Sequence, residues 1–251
     1  MGFLDLFKKS NDPFDGTMVK VCAGKFNQSF KYSYKYQPDK RKKPETDYMT
    51  SSRIVTITKD FLLCKYVVTQ KQWKTIMGEG FNMSEFRGDD LPVTNVSFDE
   101  IMEFIKKLNK LTGKKYRLPT EAEWQWAAMG ASKDKDQGRY AGCKEDKDLS
   151  KYAWCYNNAN ETIHPVGKKA ANELGLYDMT GNVWEICQDM YVPDAERREW
   201  CNKDVVDPIE KKGTCHVLKG GSSWYTSSIY EARGALNARG SETGFRLALD
   251  L

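Results

Sequence analysis

The chain has 251 residues, with 39 basic and 35 acidic side chains that leave a formal charge of +4. This length is enough for one domain with a sizeable core, and nothing in it resembles a long flexible linker. The charge is too small and too dispersed to indicate a nucleic-acid surface, so we expect no nucleic-acid partner. The one dense basic run, residues 40–43, is interpreted as a solvated loop with no assigned partner.

The cysteines do not follow a metal-binding spacing. There are seven of them, and no two form a C-x-x-C pair. Only His164 and His216 could supplement their thiolates, so we expect no zinc site. Several buried thiols in a reducing compartment are the simplest interpretation, with the state of Cys201 and Cys215 left open.

The N-terminal residues 1–15 are interpreted as a tail, or alternatively as a short amphipathic docking segment. Their apolar cluster is interrupted by Asp5 and is too short for a secretory signal, and no lipobox is visible. Leu6 stands where a myristoylation motif has Ser or Thr. No apolar run approaches the ~18 residues of a spanning helix, so no membrane span is expected.

The first half of the chain predicts strands and then short helices. Residues 53–58 and 61–68 are rich in β-branched and apolar residues, which is typical of strands. Thr69 is a candidate N-cap for a helix that ends at Gly78. Two capping boxes follow, at Ser97 and Thr120, and each precedes apolar residues at helical spacing.

From about residue 130 the sequence changes to short apolar stretches separated by Gly, Asn, Asp and Lys, which indicates loops and brief strands. Candidate strands are residues 183–187, 216–219 and 245–249. A helical first half and a looped second half that bears strands predict the α+β class.

Four ordered segments resemble those of the formylglycine-generating-enzyme-like family, also called the sulfatase-modifying factor family. They are Y-R-L-P-T-E-A-E-W at 116–124, G-L-Y-D-M-T-G-N-V-W-E at 175–185, V-L-K-G-G-S at 217–222 and G-F-R-L-A at 244–248. The resemblance implies a C-type-lectin-like fold with few short helices and strands and many loops. The resemblance spans about residues 18 to 249, and we expect residues 16–251 to form one domain.

Several residues in these segments have expected structural roles. We expect Arg117 to pair with carboxylates such as Glu121 and Glu123 at the helix start. The resemblance also implies a candidate structural calcium site, because family members often bind calcium through the segment that contains Gly181, Asn182, Val183 and Glu185. The alternative is an Asn and a Glu that are hydrogen-bonded beside a buried Trp and need no metal. Arg246 is expected to anchor the last strand.

The resemblance also bears on catalysis. The family's oxidases hold copper with two cysteines, placed three and eight residues after the Ser of the G-G-S segment. Those positions are Tyr225 and Tyr230 here, and no cysteine follows Cys215. A Tyr side chain cannot replace a thiolate, either as a soft ligand for copper or as a nucleophile. Relatives with a histidine-held iron centre need more histidines than the two present. We therefore expect no catalytic residues and no enzyme activity.

The C-terminal segment, residues 222–243, is rich in Tyr, Ser, Gly and Asn, a mixture typical of evolved binding surfaces. It resembles the diversified segment of variable proteins from diversity-generating retroelements, which share this fold. The resemblance implies a ligand-binding face for a protein or surface ligand, in the cytoplasm or on a phage particle. Its predicted residues are Trp224, Tyr225, Thr226, Ser228, Ile229, Tyr230, Leu236, Asn237 and Ala238.

Other interpretations of the C-terminal segment stay open. It is alternatively an ordinary loop with Trp224 and Ile229 packed inside, in a generic interaction protein of this fold. The chain is also interpretable as a degenerate or divergent oxidase, or as a sensor or partner domain that acts beside a kinase or a secretion system. Retroelement-directed diversification would not produce Trp224 or Glu231, so those two positions would be fixed.

Overall fold

The computed structural model describes residues 11–36, 45–132, 138–193, 196, 203–235 and 239–251. For residues 30–36, 45–51 and 235 it describes the backbone only. Residues 1–10, the basic run at 40–43 and Cys201 therefore lie outside the described residues. The helices are α1 Gln70–Met77, α2 Phe98–Thr112, α3 Glu121–Ala128 and α4 Leu149–Tyr152, with 3-10 turns at Glu79–Phe81 and Asp146–Asp148. Among the described residues, no helix is long and apolar enough to cross a membrane.

The strands form three small sheets. They are β1 Met18–Val21, β2 Gly24–Tyr36, β3 Glu45–Ile57, β4 Phe61–Cys64, β5 Tyr116–Arg117, β6 Trp184–Met190, β7 Asp204–Val206, β8 His216–Lys219, β9 Arg233–Ala235, β10 Thr243–Gly244 and β11 Ala248–Asp250. Their orders are β1-β4-β11-β5, β10-β6-β8-β9 and β2-β3-β7. The last strand β11 thus lies inside the first sheet, between β4 and β5. Short helices and strands joined by many loops confirm the predicted α+β, C-type-lectin-like class.

The helix starts follow from their caps. Thr69, Ser97 and Thr120 each accept a hydrogen bond from the N3 backbone N–H and form a complete capping box. Helix α2 ends at Gly113, whose φ of 71° lies in the left-handed region that glycine adopts without strain. All three predicted helix starts are confirmed.

The predicted strands are only partly correct. Residues 216–219 coincide with β8. The last strand begins at Ala248, whereas it was predicted from residue 245. Strand β1 has only four residues and was not predicted. Strand β2 was also not predicted, although its aromatic residues at 26, 30, 32, 34 and 36 alternate with polar residues as in a strand. Strand β2 is stabilised by pairing along all of β3, from Gly24 opposite Ile57 to Tyr36 opposite Glu45.

Among the described residues, the two largest of four apolar clusters form most of the interior. In the first, the Trp73 ring of α1 stacks on Phe104 of α2 with 5.1 Å between ring centroids, and Phe245 meets both rings edge-on. The second cluster contains Trp124 and Trp126 of α3.

Arg117 donates to both oxygens of Glu123 at 2.7 Å, as expected for one of its two candidate partners. Glu121 faces another cation, because its carboxylate lies 3.8 Å from the buried Lys219 amine.

The domain begins earlier than the predicted boundary at residue 16. Phe14 is 1% exposed and packs against Phe104 and Tyr116, with ring centroids 6.3 and 5.7 Å away. Asp12 accepts hydrogen bonds from the Tyr116 hydroxyl at 2.7 Å and from the Lys114 amine at 2.6 Å. The assignment of residues 11–15 to a tail is therefore wrong, since this segment completes the first core cluster.

We expect Phe14→Ala to lower the free energy of unfolding by about 3–5 kcal/mol, because it removes a fully buried ring from the core. Phe81→Ala is the matched control, since Phe81 is 58% exposed and its loss should change stability within about 0.5 kcal/mol. Equilibrium denaturation in guanidinium chloride measures both. Equal stability of Phe14→Ala and the parent protein would contradict the assignment of this segment to the domain.

Candidate ligand-binding face

A buried ion pair lies beneath the C-terminal segment. Arg246 donates from Nε to Oε2 of Glu185 and from Nη2 to Oε1, both at 2.6 Å. Both side chains are at most 1% exposed. The Arg246 guanidinium also donates to the carbonyls of Cys64 at 2.9 Å and Tyr177 at 2.9 Å. Arg246 therefore holds together two distant loops as well as the last strand, more than the anchoring that we expected of it.

Trp124 connects this pair to the G-G-S turn. Its indole Nε1 donates to Glu185 Oε2 at 2.7 Å. The other edge of the ring lies against Gly220, where an added Cβ would come within 3.2 Å of both the ring and the Met179 carbonyl. Gly220 also has a φ of 92°, so glycine is required here for conformation as well as space.

The turn at residues 222–225 is tied down by its own backbone. The Ser222 N–H donates to the Tyr225 carbonyl at 2.8 Å, and the Ser223 N–H donates to the Asn182 carbonyl at 2.9 Å. The Ser222 hydroxyl accepts from the Tyr225 N–H at 3.2 Å and donates to the Glu242 carboxylate. The side chains that this turn presents are therefore carried on a fixed backbone.

Three predicted residues of the face are partly or largely accessible at or next to this turn. Tyr225 is 47% exposed, and its ring stacks on the buried Trp184 ring with centroids 5.7 Å apart. Trp224 is half-buried against Phe86, with ring centroids at 6.0 Å. Thr226 is half-buried and pairs with Gly221 through an isolated β-bridge. Trp224 and Tyr225 thus present an aromatic surface.

The remaining predicted residues are less accessible. Ser228 and Ile229 are 2% and 1% exposed, so the prediction that they face a ligand is wrong. Ile229 belongs to the second core cluster, and the Ser228 hydroxyl donates to Glu231 at 3.3 Å. Tyr230 is half-buried against the same cluster, and burial raises the pKa of its hydroxyl. Leu236, Asn237 and Ala238 lie outside the described residues.

Two residues of the face were missed in the sequence. Arg233, which is exposed, places its guanidinium over the rings of Tyr225 and Trp184, at 5.0 and 5.5 Å from their centroids. Phe86 comes from a loop far away in sequence and supports Trp224. Arg is enriched among the contact residues of binding loops, and this was the one sequence signal that could have identified Arg233 as part of the face. No local sequence signal identifies Phe86.

The described cysteines are all free thiols. No cysteine follows Cys215 in the sequence, so the C-terminal segment contains none. Burial raises the pKa of Cys64 to about 12 and raises that of Cys187 well above its ordinary value, so both stay protonated near neutral pH. In the described ranges, no three His, Cys, Asp or Glu side chains are grouped as a metal site requires.

The candidate calcium segment has its side-chain oxygens already engaged. The Asn182 amide accepts from the His164 N–H at 2.9 Å and donates to the His164 carbonyl at 3.0 Å. Both oxygens of Glu185 bind Arg246, whose positive charge at 2.6 Å opposes a nearby divalent cation. Gly181 and Val183 offer only backbone carbonyls. The residues present do not fit a calcium ion, and we propose that this segment is structural without one.

The fold and this interior define a domain of the formylglycine-generating-enzyme type. The sequence profile of the sulfatase-modifying factor enzyme 1-like domain matches residues 5–251, and the chain belongs to this family.

Proteins that are similar to this chain carry names that indicate different functions. The chain is 32% identical to the chaperone protein LppX of Paenibacillus barcinonensis over 78% of this chain and 82% of that protein. It is 30% identical to the formylglycine-generating enzyme of Thermomonospora curvata over 71% of this chain and 61% of that one. Its structure is similar to variable protein 1 of Treponema denticola, with a TM-score of 0.72 and 25% identity over 93% and 95% of the two chains.

We expect Glu185→Gln to lower the free energy of unfolding by about 3–5 kcal/mol, because it leaves the buried Arg246 charge without its hydrogen-bonded counter-charge. Glu79→Gln is the control. The Glu79 side chain is 82% exposed and its ion pair with Lys74 should contribute less than about 1 kcal/mol. Chemical denaturation of both variants tests this, and a neutral effect of Glu185→Gln would contradict the role of the pair.

Proposed function

We propose that this protein is a non-catalytic ligand-binding protein and that the accessible residues around Tyr225 form its binding face. The observation that carries the proposal is the exposed Tyr225 ring, stacked on a buried Trp184 and mounted on a turn whose backbone is fixed by hydrogen bonds. A rigid aromatic side chain provides contact area at a low cost in conformational entropy.

The absence of enzyme activity is part of the proposal. The family name does not decide the function, since its members here include an enzyme, a chaperone and a variable protein. The site argues against copper-dependent oxidation, because the two thiolate positions carry Tyr225 and Tyr230.

We further propose that the C-terminal segment is diversified by a retroelement, as its resemblance to variable proteins implies. The similarity of the whole fold to a variable protein supports this. Under the proposal, positions such as 225, 226 and 230 change freely while 228 and 229 do not, because the latter two are buried. The ligand would be a protein or another surface component that contacts the changing side chains.

Tolerance to substitution tests the binding face. A displayed library randomised at Tyr225, Thr226 and Tyr230 should keep most members resistant to protease, because these side chains are not fully buried. Panning this library against an immobilised protein should enrich specific binders. The matched control is a library randomised at Ser228 and Ile229, which should lose protease resistance in most members.

If the first library unfolds as often as the second, or yields no binder against any of several targets, the proposed binding face is wrong. A copper-dependent oxidation of a thiol peptide by the parent protein would contradict the non-catalytic assignment.

The gene provides an independent test of diversification. We expect a reverse transcriptase gene near this one, together with a near-copy of the DNA that encodes residues 222–243. Differences between the two copies should fall on adenine positions of the template. Sequencing of the locus in several isolates checks this, and identical C-terminal segments with no neighbouring repeat would contradict it.

A further inference from the structure

We propose that Arg233 is a specificity-determining residue of this face and binds a carboxylate of the ligand, namely an acidic side chain of a polypeptide. This inference rests on the proposed function, because it assigns a ligand class to the same surface.

The backbone of Arg233 is held in a sheet. Arg233 begins β9, where it pairs with Leu218 of β8. From there the guanidinium extends over the rings of Tyr225 and Trp184, with its central carbon 5.0 and 5.5 Å from their centroids. Two aromatic rings and a paired strand therefore restrict this side chain before any ligand arrives.

The guanidinium has no counter-charge within the described part of the chain. The Arg233 side chain makes no hydrogen bond or ion pair there and is exposed. The nearby carboxylates have other partners, since Glu242 accepts from Ser222, and Glu231 accepts from Ser227 and Ser228. A guanidinium that interacts with rings through its face keeps its edge N–H donors available for a planar, bidentate acceptor, which is the geometry of a carboxylate.

Arg239 shows the contrasting arrangement on the same segment. Its guanidinium donates to the Glu100 carboxylate at 2.8 Å and to the Asn95 carbonyl at 3.4 Å. Arg239 thereby holds the segment to α2. One arginine of the segment is used for structure, and the other has its donors unused.

A second observation points to the same kind of ligand. The Trp184 indole N–H and the Ser223 hydroxyl are buried, and neither has a hydrogen-bond partner among the described residues. Trp184 is the ring under Tyr225 and Arg233, and Ser223 lies in the adjoining turn. An unsatisfied indole donor next to a cation, with a second unsatisfied group in the adjoining turn, favours a ligand that brings acceptors. Movement of the Tyr225 ring, which is 47% exposed, would open the way to the indole.

The experiment is an NMR titration of the full chain with the blocked tripeptide acetyl-Gly-Asp-Gly-amide, and with its Asn counterpart as the uncharged probe. The readouts are the indole N–H signals and the arginine Nε–H signals, with the Arg233 signal identified by its loss in Arg233→Gln. We expect saturable shifts with the Asp peptide only. Arg233→Gln should weaken binding at least about tenfold, as expected for a charge-assisted bidentate contact.

Two further variants control for charge and geometry. Arg239→Gln removes the same charge from the same segment and should leave the affinity within about twofold, because that arginine is already paired. Arg233→Lys keeps the charge but not the planar fork, and should fall between the parent and Arg233→Gln. Thermal denaturation confirms that each variant is folded at the temperature of the titration.

Three outcomes would overturn the inference. The first is that the Asp peptide causes no saturable shift of the signals at concentrations of tens of millimolar. The second is that Arg233→Gln and Arg239→Gln lose affinity for the Asp peptide equally. The third is that the protein binds glucuronate more tightly than the Asp peptide. Binders from the displayed library without a response to the Asp peptide would leave the binding face intact and refute only the carboxylate assignment. A specific response to the peptide with no library binders would refute the proposed general binding face instead.

Discussion

The buried ion pair between Arg246 and Glu185 is the interaction on which the rest of this structure depends. A charged pair without solvent is stable only when every donor and acceptor is satisfied, and here Trp124 and backbone carbonyls of two loops complete the set. Three of the four segments that define the family meet at this pair, and the fourth reaches it where Gly220 packs on the Trp124 ring. The long loops are thereby held in place with little regular secondary structure.

This arrangement separates stability from recognition. The interior beneath the C-terminal segment is held by Arg246, Glu185 and Trp124, whereas the face above it presents Tyr225 and Arg233. Side chains on the face can therefore change without disturbing the charges that maintain the fold.

The parts of the fold that could be predicted from the sequence are those with local causes. The three capping boxes place the starts of α1, α2 and α3, since the cap and its N3 partner are three residues apart. Strand β2 has a strand pattern that was overlooked, since its aromatic residues at 26, 30, 32, 34 and 36 alternate with polar residues. Strand β1 could not be predicted, because it has four residues and its stability comes from pairing with β4. Residues 11–15 were assigned to a tail for the same reason, since Phe14 is buried by α2 and Tyr116 from far along the chain.

The candidate site likewise has some features that the sequence determined and others that only the tertiary structure decided. The sequence by itself determined the family, the absence of any cysteine after Cys215, and the aromatic and small polar composition of the C-terminal segment, because these are properties of residue order alone. Only the tertiary structure decided that Ser228 and Ile229 are buried, that the calcium candidates Asn182 and Glu185 are engaged by His164 and Arg246, and that Arg233 lies over two rings with no counter-charge among the described residues. Exposure and charge pairing depend on which distant residues approach, and no local pattern encodes that approach.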